Sequence, residues 1–179
     1  MRTKLVTMTV GGNDVGYIGD LSMLAARNSS SVFGWFVQEF WSGPRSDDER
    51  GYAHLEEQLT AAVRTIQARA PKATIVIATY PTILPPEGTC SRLGLSAGEA
   101  TMMREVGDEL ASVTRSAAKQ TGARLVDMQV LGAAHHACSA DPWTNGWTNG
   151  GIAPFHPNIE GAAATAKAIA DALRGYQQV

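Results

Sequence analysis

Apolar positions along the chain follow two periods, and stretches of each alternate. Residues 4–10 (KLVTMTV), 73–80 (ATIVIATY) and 123–130 (ARLVDMQV) are short runs rich in β-branched residues and predict buried strands. Between the first two, HLEEQLTAAVRTIQARAP places Leu55, Leu59, Val63 and Ile66 on one helical face and stops before Pro71. Between the second and third, a helix opens at a capping box, Ser96 with Glu99. Its apolar face runs Met103, Val106, Leu110, Val113 and Ala117, and Gly122 closes it. A last helix over about 158–176 turns Ile169, Leu173 and Tyr176 inward.

Strands alternating with amphipathic helices predict an α/β domain, a parallel sheet with helices on both faces joined by right-handed crossovers. In such sheets chemistry collects beyond the carboxyl ends of the strands. Three places qualify: Gly11 to Asp14, the loop PTILPPEGTC, and the long stretch from Leu131 to Asn158. Loops as long as the last are functional or disordered, and its Trp143, Trp147 and Phe155 predict order. Residues 17–53 carry Phe33, Trp35, Phe36, Phe40 and Trp41 close together. The expectation there is a helical lid packed on the core, compatible with one wall of an apolar substrate groove.

A length of 179 residues suits one domain over 1–179 with a proper core. The formal charge of -2 gives no reason to expect a nucleic-acid or anionic-membrane partner. No apolar run approaches the roughly 20 residues of a transmembrane span. No signal peptide is visible, because Arg2 and Lys4 lead straight into the first strand. The two cysteines, Cys90 and Cys138, sit in polar loops too far apart for a CxxC site. They are either independent thiols or one disulfide pinning two loops. The bridge is the better fit, and it implies an oxidising compartment.

Two short stretches carry candidate chemistry. In TMTVGGNDVGY a strand stops at Gly11 and Gly12 and exposes Asn13 and Asp14. Asn tolerates a left-handed turn, or its amide N–H is aimed at a ligand. In GIAPFHPNIEG, Pro154 and Pro157 stiffen a turn around His156 just before a helix N-terminus, a suitable place for an acid–base residue.

The pair TVGGNDVGY and APFHPNIEG resembles the third and fifth blocks of the SGNH, or GDSL, hydrolase superfamily. HHACSADPW further resembles its secreted bacterial lipase, phospholipase and esterase branch. The resemblance runs from residue 3 to about 172 and implies the flavodoxin-like SGNH fold. It implies that Asn13 is an oxyanion donor presented by Gly11 and Gly12, with Asp14 holding the turn by hydrogen bonding. It implies that His156 is the general base of a serine nucleophile. No cofactor is implied. The implied protein is a secreted carboxylic-ester hydrolase acting on a small-molecule or lipid ester, with a carbohydrate acetyl esterase as the competing substrate class.

Two features depart from that pattern. The acid that usually stands three residues before the histidine is Ala153 here, which makes the Ala153 carbonyl the expected orienter and Asp141 the alternative. The nucleophile block Gly-Asp-Ser and the second block, with its oxyanion-hole glycine, are absent, leaving the nucleophile unknown. Ser22, the serines at 29–31 and Ser116 in SAAK are weak substitutes. The first strand then corresponds to the family's third, and its edge needs covering. The expectation is a chain that is the C-terminal part of a longer enzyme. Otherwise a partner covers that edge, which allows a monomer or a dimer paired through the first strand. Zinc on His135, His136, His156 and Asp141 is not expected, because adjacent histidines point apart and no spacing fits. The rival reading is a hydrolase-like binding module without a nucleophile.

Overall fold

The computed structural model of the protein describes residues 3–148, 151 and 153–175, so the predicted inward Tyr176 lies outside the described residues. Strands β1 (Leu5–Met8), β2 (Thr74–Ala78) and β3 (Arg124–Val126) form a parallel sheet in the order β1-β2-β3. Thr7 pairs with Val76, and Ile77 with Leu125. Helix α4 (Tyr52–Arg69) crosses from β1 to β2, and α5 (Ala97–Thr121) crosses from β2 to β3. Helix α7 (Ile159–Arg174) ends the described chain.

Alternation along the strands decides which helix meets which face. Val6, Ile75 and Ile77 pack with Val63 of α4 and Ala118 of α5. Val76, Ala78 and Val126 point the other way and meet Ala168, Ile169 and Leu173 of α7. The result is the expected α/β sandwich with helices on both faces. The predicted inward faces of α4 and α5 hold, with Leu59, Val63, Met103, Leu110 and Ala117 all buried. The Ser96–Glu99 capping box opens α5.

Three expectations need correction. The first strand is not buried: Leu5 and Val10 are each 41% exposed. Among the described residues β1 pairs only with β2, and α7 covers β2 and β3 but not the outer face of β1. The third strand stops at Val126 rather than residue 130, because the Asp127 carboxylate accepts the Val130 N–H and caps a short helix, α6 (Met128–Leu131). The 17–53 segment folds as α1 (Tyr17–Arg27), α2 (Val32–Phe40) and the short α3 (Asp47–Arg50). Of α2 only Gly34 and Val37 are buried, so its aromatic residues do not form a packed lid.

The long loop after β3 is ordered where it is described. Cys90 and Cys138 form a disulfide, Cα to Cα 5.9 Å, so they are not free thiols. Arg92 reinforces that junction by donating to the Ala137 and Ser139 carbonyls at 3.2 and 3.0 Å.

Asp127 gives the fold a defined acid sensitivity. Partial burial works to raise its pKa, but hydrogen bonds from Arg115 and the Val130 N–H outweigh it and hold the carboxyl below its usual 3.8. A depressed folded pKa contributes stability that is present above the unfolded value and lost as pH falls through the folded one. Asp127→Asn is therefore expected to lower the unfolding midpoint at pH 6 and to flatten its decline below pH 4. Denaturant titrations at the two pH values check this, and parallel acid limbs for both proteins would refute it.

Candidate active site

The turn after β1 is built by main-chain bonds around two glycines. Gly11 takes φ +103°, a region L side chains avoid, and its carbonyl accepts the N–H groups of Asp14 and Val15 at 3.1 and 3.3 Å. Gly12 is required for a different reason. A Cβ there would lie 2.9 Å from the ring and hydroxyl of Tyr80, and the Gly12 N–H donates to that hydroxyl at 3.2 Å. Burial pushes the Tyr80 phenol up, with the Gly12 N–H pulling against it and Asp14 adding to the rise. The phenol is thus a neutral acceptor under the turn. Asn13 is exposed at the apex, and its amide has no hydrogen-bond partner among the described residues.

Two arginines that no sequence pattern marks clamp the exit of this turn. Arg45 donates to the Asp14 carbonyl at 2.6 Å, and Arg50 to the Val15 carbonyl at 2.6 Å. Arg50 is buried, also donates to the Arg45 carbonyl at 2.9 Å, and pairs with Asp20 at 3.0 Å. Asp14 takes part in the turn through its backbone, its N–H bonded to the Gly11 carbonyl and its own carbonyl to Arg45. Its carboxylate makes no hydrogen bond among the described residues. The only available signal for the arginines was a pair of cations in a loop with no obvious partner.

His156 sits on a strained and well-anchored loop. Thr144 bridges antiparallel to Pro157, and the Asn145 N–H donates to the His156 carbonyl at 2.9 Å. Asn158 caps α7 through the Gly161 N–H at 2.8 Å and ties back to the Pro142 carbonyl at 2.6 Å. Immediately before the histidine, Phe155 takes φ 61°, the single non-glycine positive φ among the described residues, while its ring is 1% exposed. Such a backbone persists only where packing over-determines it, and it clusters at functional sites.

His156 itself is exposed, and its Nδ1 lies 2.9 Å from the Pro154 carbonyl. A carbonyl only accepts, so Nδ1 donates this bond, and in the neutral imidazole Nε2 is then the nitrogen left to accept a proton. The carbonyl bonded to the ring is that of Pro154, one residue after Ala153. The Ala153 carbonyl instead accepts the His156 backbone N–H at 3.4 Å and the Asn145 amide at 3.5 Å. The alternative orienter Asp141 is committed elsewhere, lying 3.5 Å from His135. His135 stacks on Trp143 at 4.0 Å, and His136 accepts the Cys138 N–H at 3.2 Å while burial pushes its pKa down.

One apolar cluster ties the two stretches together. Val15, two residues from Asn13, and Phe155, next to His156, are both fully buried in it with Tyr17, Leu55 and Leu110. Tyr80 also lines a cavity of about 450 Å³ whose walls include the apolar Ile83, Leu84 and Val130, with Thr82, Arg104, Asp108 and Gln129 as polar members. The weak serine candidates are used structurally. Ser31 caps α2 and bonds to Ser29 at 2.8 Å, and Ser116 donates to Glu56 at 2.6 Å. Ser22 lies within α1, and no serine is hydrogen-bonded to a histidine among the described residues.

The sequence model of the GDSL-like lipase/acylhydrolase family matches residues 1–164. Lipase 2 of Streptomyces coelicolor is 31% identical over an alignment of 184 residues, covering 96% of this chain and 60% of the relative. A lipase of Streptomyces rimosus is 28% identical over 161 residues, covering 89% of this chain and 56% of the relative. Among solved structures, phospholipase A1 from Streptomyces albidoflavus superposes with a TM-score of 0.69 at 26% identity, covering 97% of this chain and 69% of that one. The extracellular lipase from Streptomyces rimosus gives 0.65 at 26% identity, covering 87% and 63%. The chain thus spans little more than half the length of the curated relatives it matches.

Proposed function

The chain belongs to the GDSL-like lipase/acylhydrolase family, and on that premise we propose that it supplies the base and one oxyanion donor of a carboxylic-ester hydrolase. The observation that carries this reading is the hydrogen bond from His156 Nδ1 to the Pro154 carbonyl, which fixes the ring with Nε2 free. A serine hydroxyl gives its proton to Nε2 as its oxygen attacks the acyl carbon, and His156 then returns the proton to the departing alcohol. The negative charge on the tetrahedral oxygen meets the Asn13 amide, held ready by Gly11, Gly12 and the Tyr80 hydroxyl. With the acid replaced by a backbone carbonyl, the arrangement is a dyad. The cavity that Tyr80 lines offers apolar room beside the turn for an acyl group. The disulfide and the extracellular lipase relative support a secreted protein.

A fluorophosphonate ester tests this reading on the purified 179-residue chain. An activated serine oxygen displaces fluoride from phosphorus and leaves one adduct per chain, visible in the intact mass. One adduct, mapped to a serine and lost on His156→Ala, supports the reading. A folded chain that gains no mass would overturn turnover by this chain and leave the hydrolase-like binding module.

A further inference from the structure

Helix α2 is amphipathic in the wrong sense for a surface helix. At about 100° per residue, Val32, Phe33, Phe36 and Phe40 share one arc, with Trp35 and Glu39 on its flank. That arc faces water: Val32 is 86% exposed, Phe40 66%, Trp35 60%, Phe33 56% and Phe36 52%. The opposite side holds Gly34, Val37 and Gln38, and it is this side that docks on the protein. A Cβ at Gly34 would lie 2.5 Å from the Ala26 and Ser29 carbonyls, so the helix rides directly on the backbone that ends α1. Ser31 caps its first turn, Gln38 donates to the Arg27 carbonyl at 2.6 Å, and Val37 is 1% exposed. The aromatic arc is therefore held outward on a firmly fixed helix. Contiguous apolar surface of this kind marks an interaction site.

We propose that α2 seats the protein on a zwitterionic, choline-type phospholipid surface. Charge and chemistry select this occupant. The helix has no Lys or Arg and its one charge is Glu39, while α3 beyond it opens with Asp47, Asp48 and Glu49. Together with a net charge of -2, this disfavours an anionic membrane, for which polybasic residues are needed. A choline headgroup instead presents a quaternary ammonium, which aromatic faces and a neighbouring carboxylate attract. Tryptophan and phenylalanine on the outward face of a short helix supply the apolar half of an interfacial element, while the protein body stands where a free helix would need a polar face. Arg27, whose carbonyl Gln38 of α2 bonds, has its guanidinium paired with Glu99 at 2.7 Å and stacked over Trp41. Surface binding is separate from ester turnover, so its test stands whether or not the hydrolase reading holds.

The test incubates the 179-residue chain with phosphatidylcholine vesicles and with vesicles carrying phosphatidylglycerol, and reads co-sedimentation. The chain is expected to bind the choline vesicles and to bind less as the anionic lipid fraction rises. The double substitution Trp35→Ser with Phe36→Ser is expected to lower the partition coefficient by about tenfold or more, with the circular dichroism spectrum retained. If that variant fails to fold, quenching of tryptophan emission in the unaltered chain by brominated phosphatidylcholine reads the same contact. Absence of binding or of quenching would overturn the proposal, as would unchanged binding of a folded variant or a preference for anionic vesicles. Sedimentation showing a dimer in buffer that the double substitution dissolves would assign the arc to a second copy and equally overturn it.

Discussion

In an enzyme that carries the serine nucleophile, His156→Ala is expected to lower ester turnover by a factor on the order of 10⁴ or more and to abolish labelling by a fluorophosphonate. The size of the effect follows from the role. Without a base the serine hydroxyl stays protonated, and the leaving alcohol has no proton donor, so both halves of acyl transfer fail together. The structural cost is small, because the imidazole is exposed and its one side-chain bond is to a local carbonyl. The Phe155 ring and the Thr144–Pro157 bridge hold the loop without it. Retained thermal stability with lost labelling separates a chemical from a structural role. Turnover within tenfold of the unaltered protein would remove His156 from the mechanism.

The large periodic elements were legible because burial of one face is a strong, local sequence signal. The apolar spacing of α4 and α5 and the Ser96–Glu99 capping box predict those helices nearly to their ends. The failures have specific causes. In LVDMQV the alternation continues past Val126, but a single aspartate able to cap a helix ends the strand. The 32–41 aromatics look like core in sequence, because hydropathy cannot say which face a helix turns inward. Gly34 decides that, by allowing the close approach only on its own side. Likewise His156 and Asn13 were visible as motifs, whereas the Pro154 carbonyl bonded to the histidine ring and the positive φ at Phe155 are announced by no residue type. Tyr80, Arg45 and Arg50 act through space on backbone atoms, and such partners leave no spacing to read.

Arg50→Ala is expected to destabilise the fold by about 3–5 kcal/mol, the range for breaking one half of a buried ion pair. Arg50 has 1% side-chain exposure, and Asp20 beside it has 11%. Its removal leaves the Asp20 carboxylate with only the Arg45 backbone N–H, at 3.2 Å, and strips donors from the Val15 and Arg45 carbonyls. An unpaired buried charge and two under-satisfied carbonyls account for the cost. Asp20→Asn alone should cost less, since the arginine keeps both carbonyl acceptors. The double variant should be less destabilised than the sum of the singles, because the residual charge is gone. Urea titrations of the three variants measure this coupling. Strict additivity would mean that Arg50 acts through its carbonyl contacts alone. In either case the loss reaches the site, since Val15 anchors the turn that carries Asn13 in the same apolar cluster that buries Phe155. Arg50→Ala is thus expected to loosen both the turn of Asn13, the proposed oxyanion donor, and the His156 loop at once.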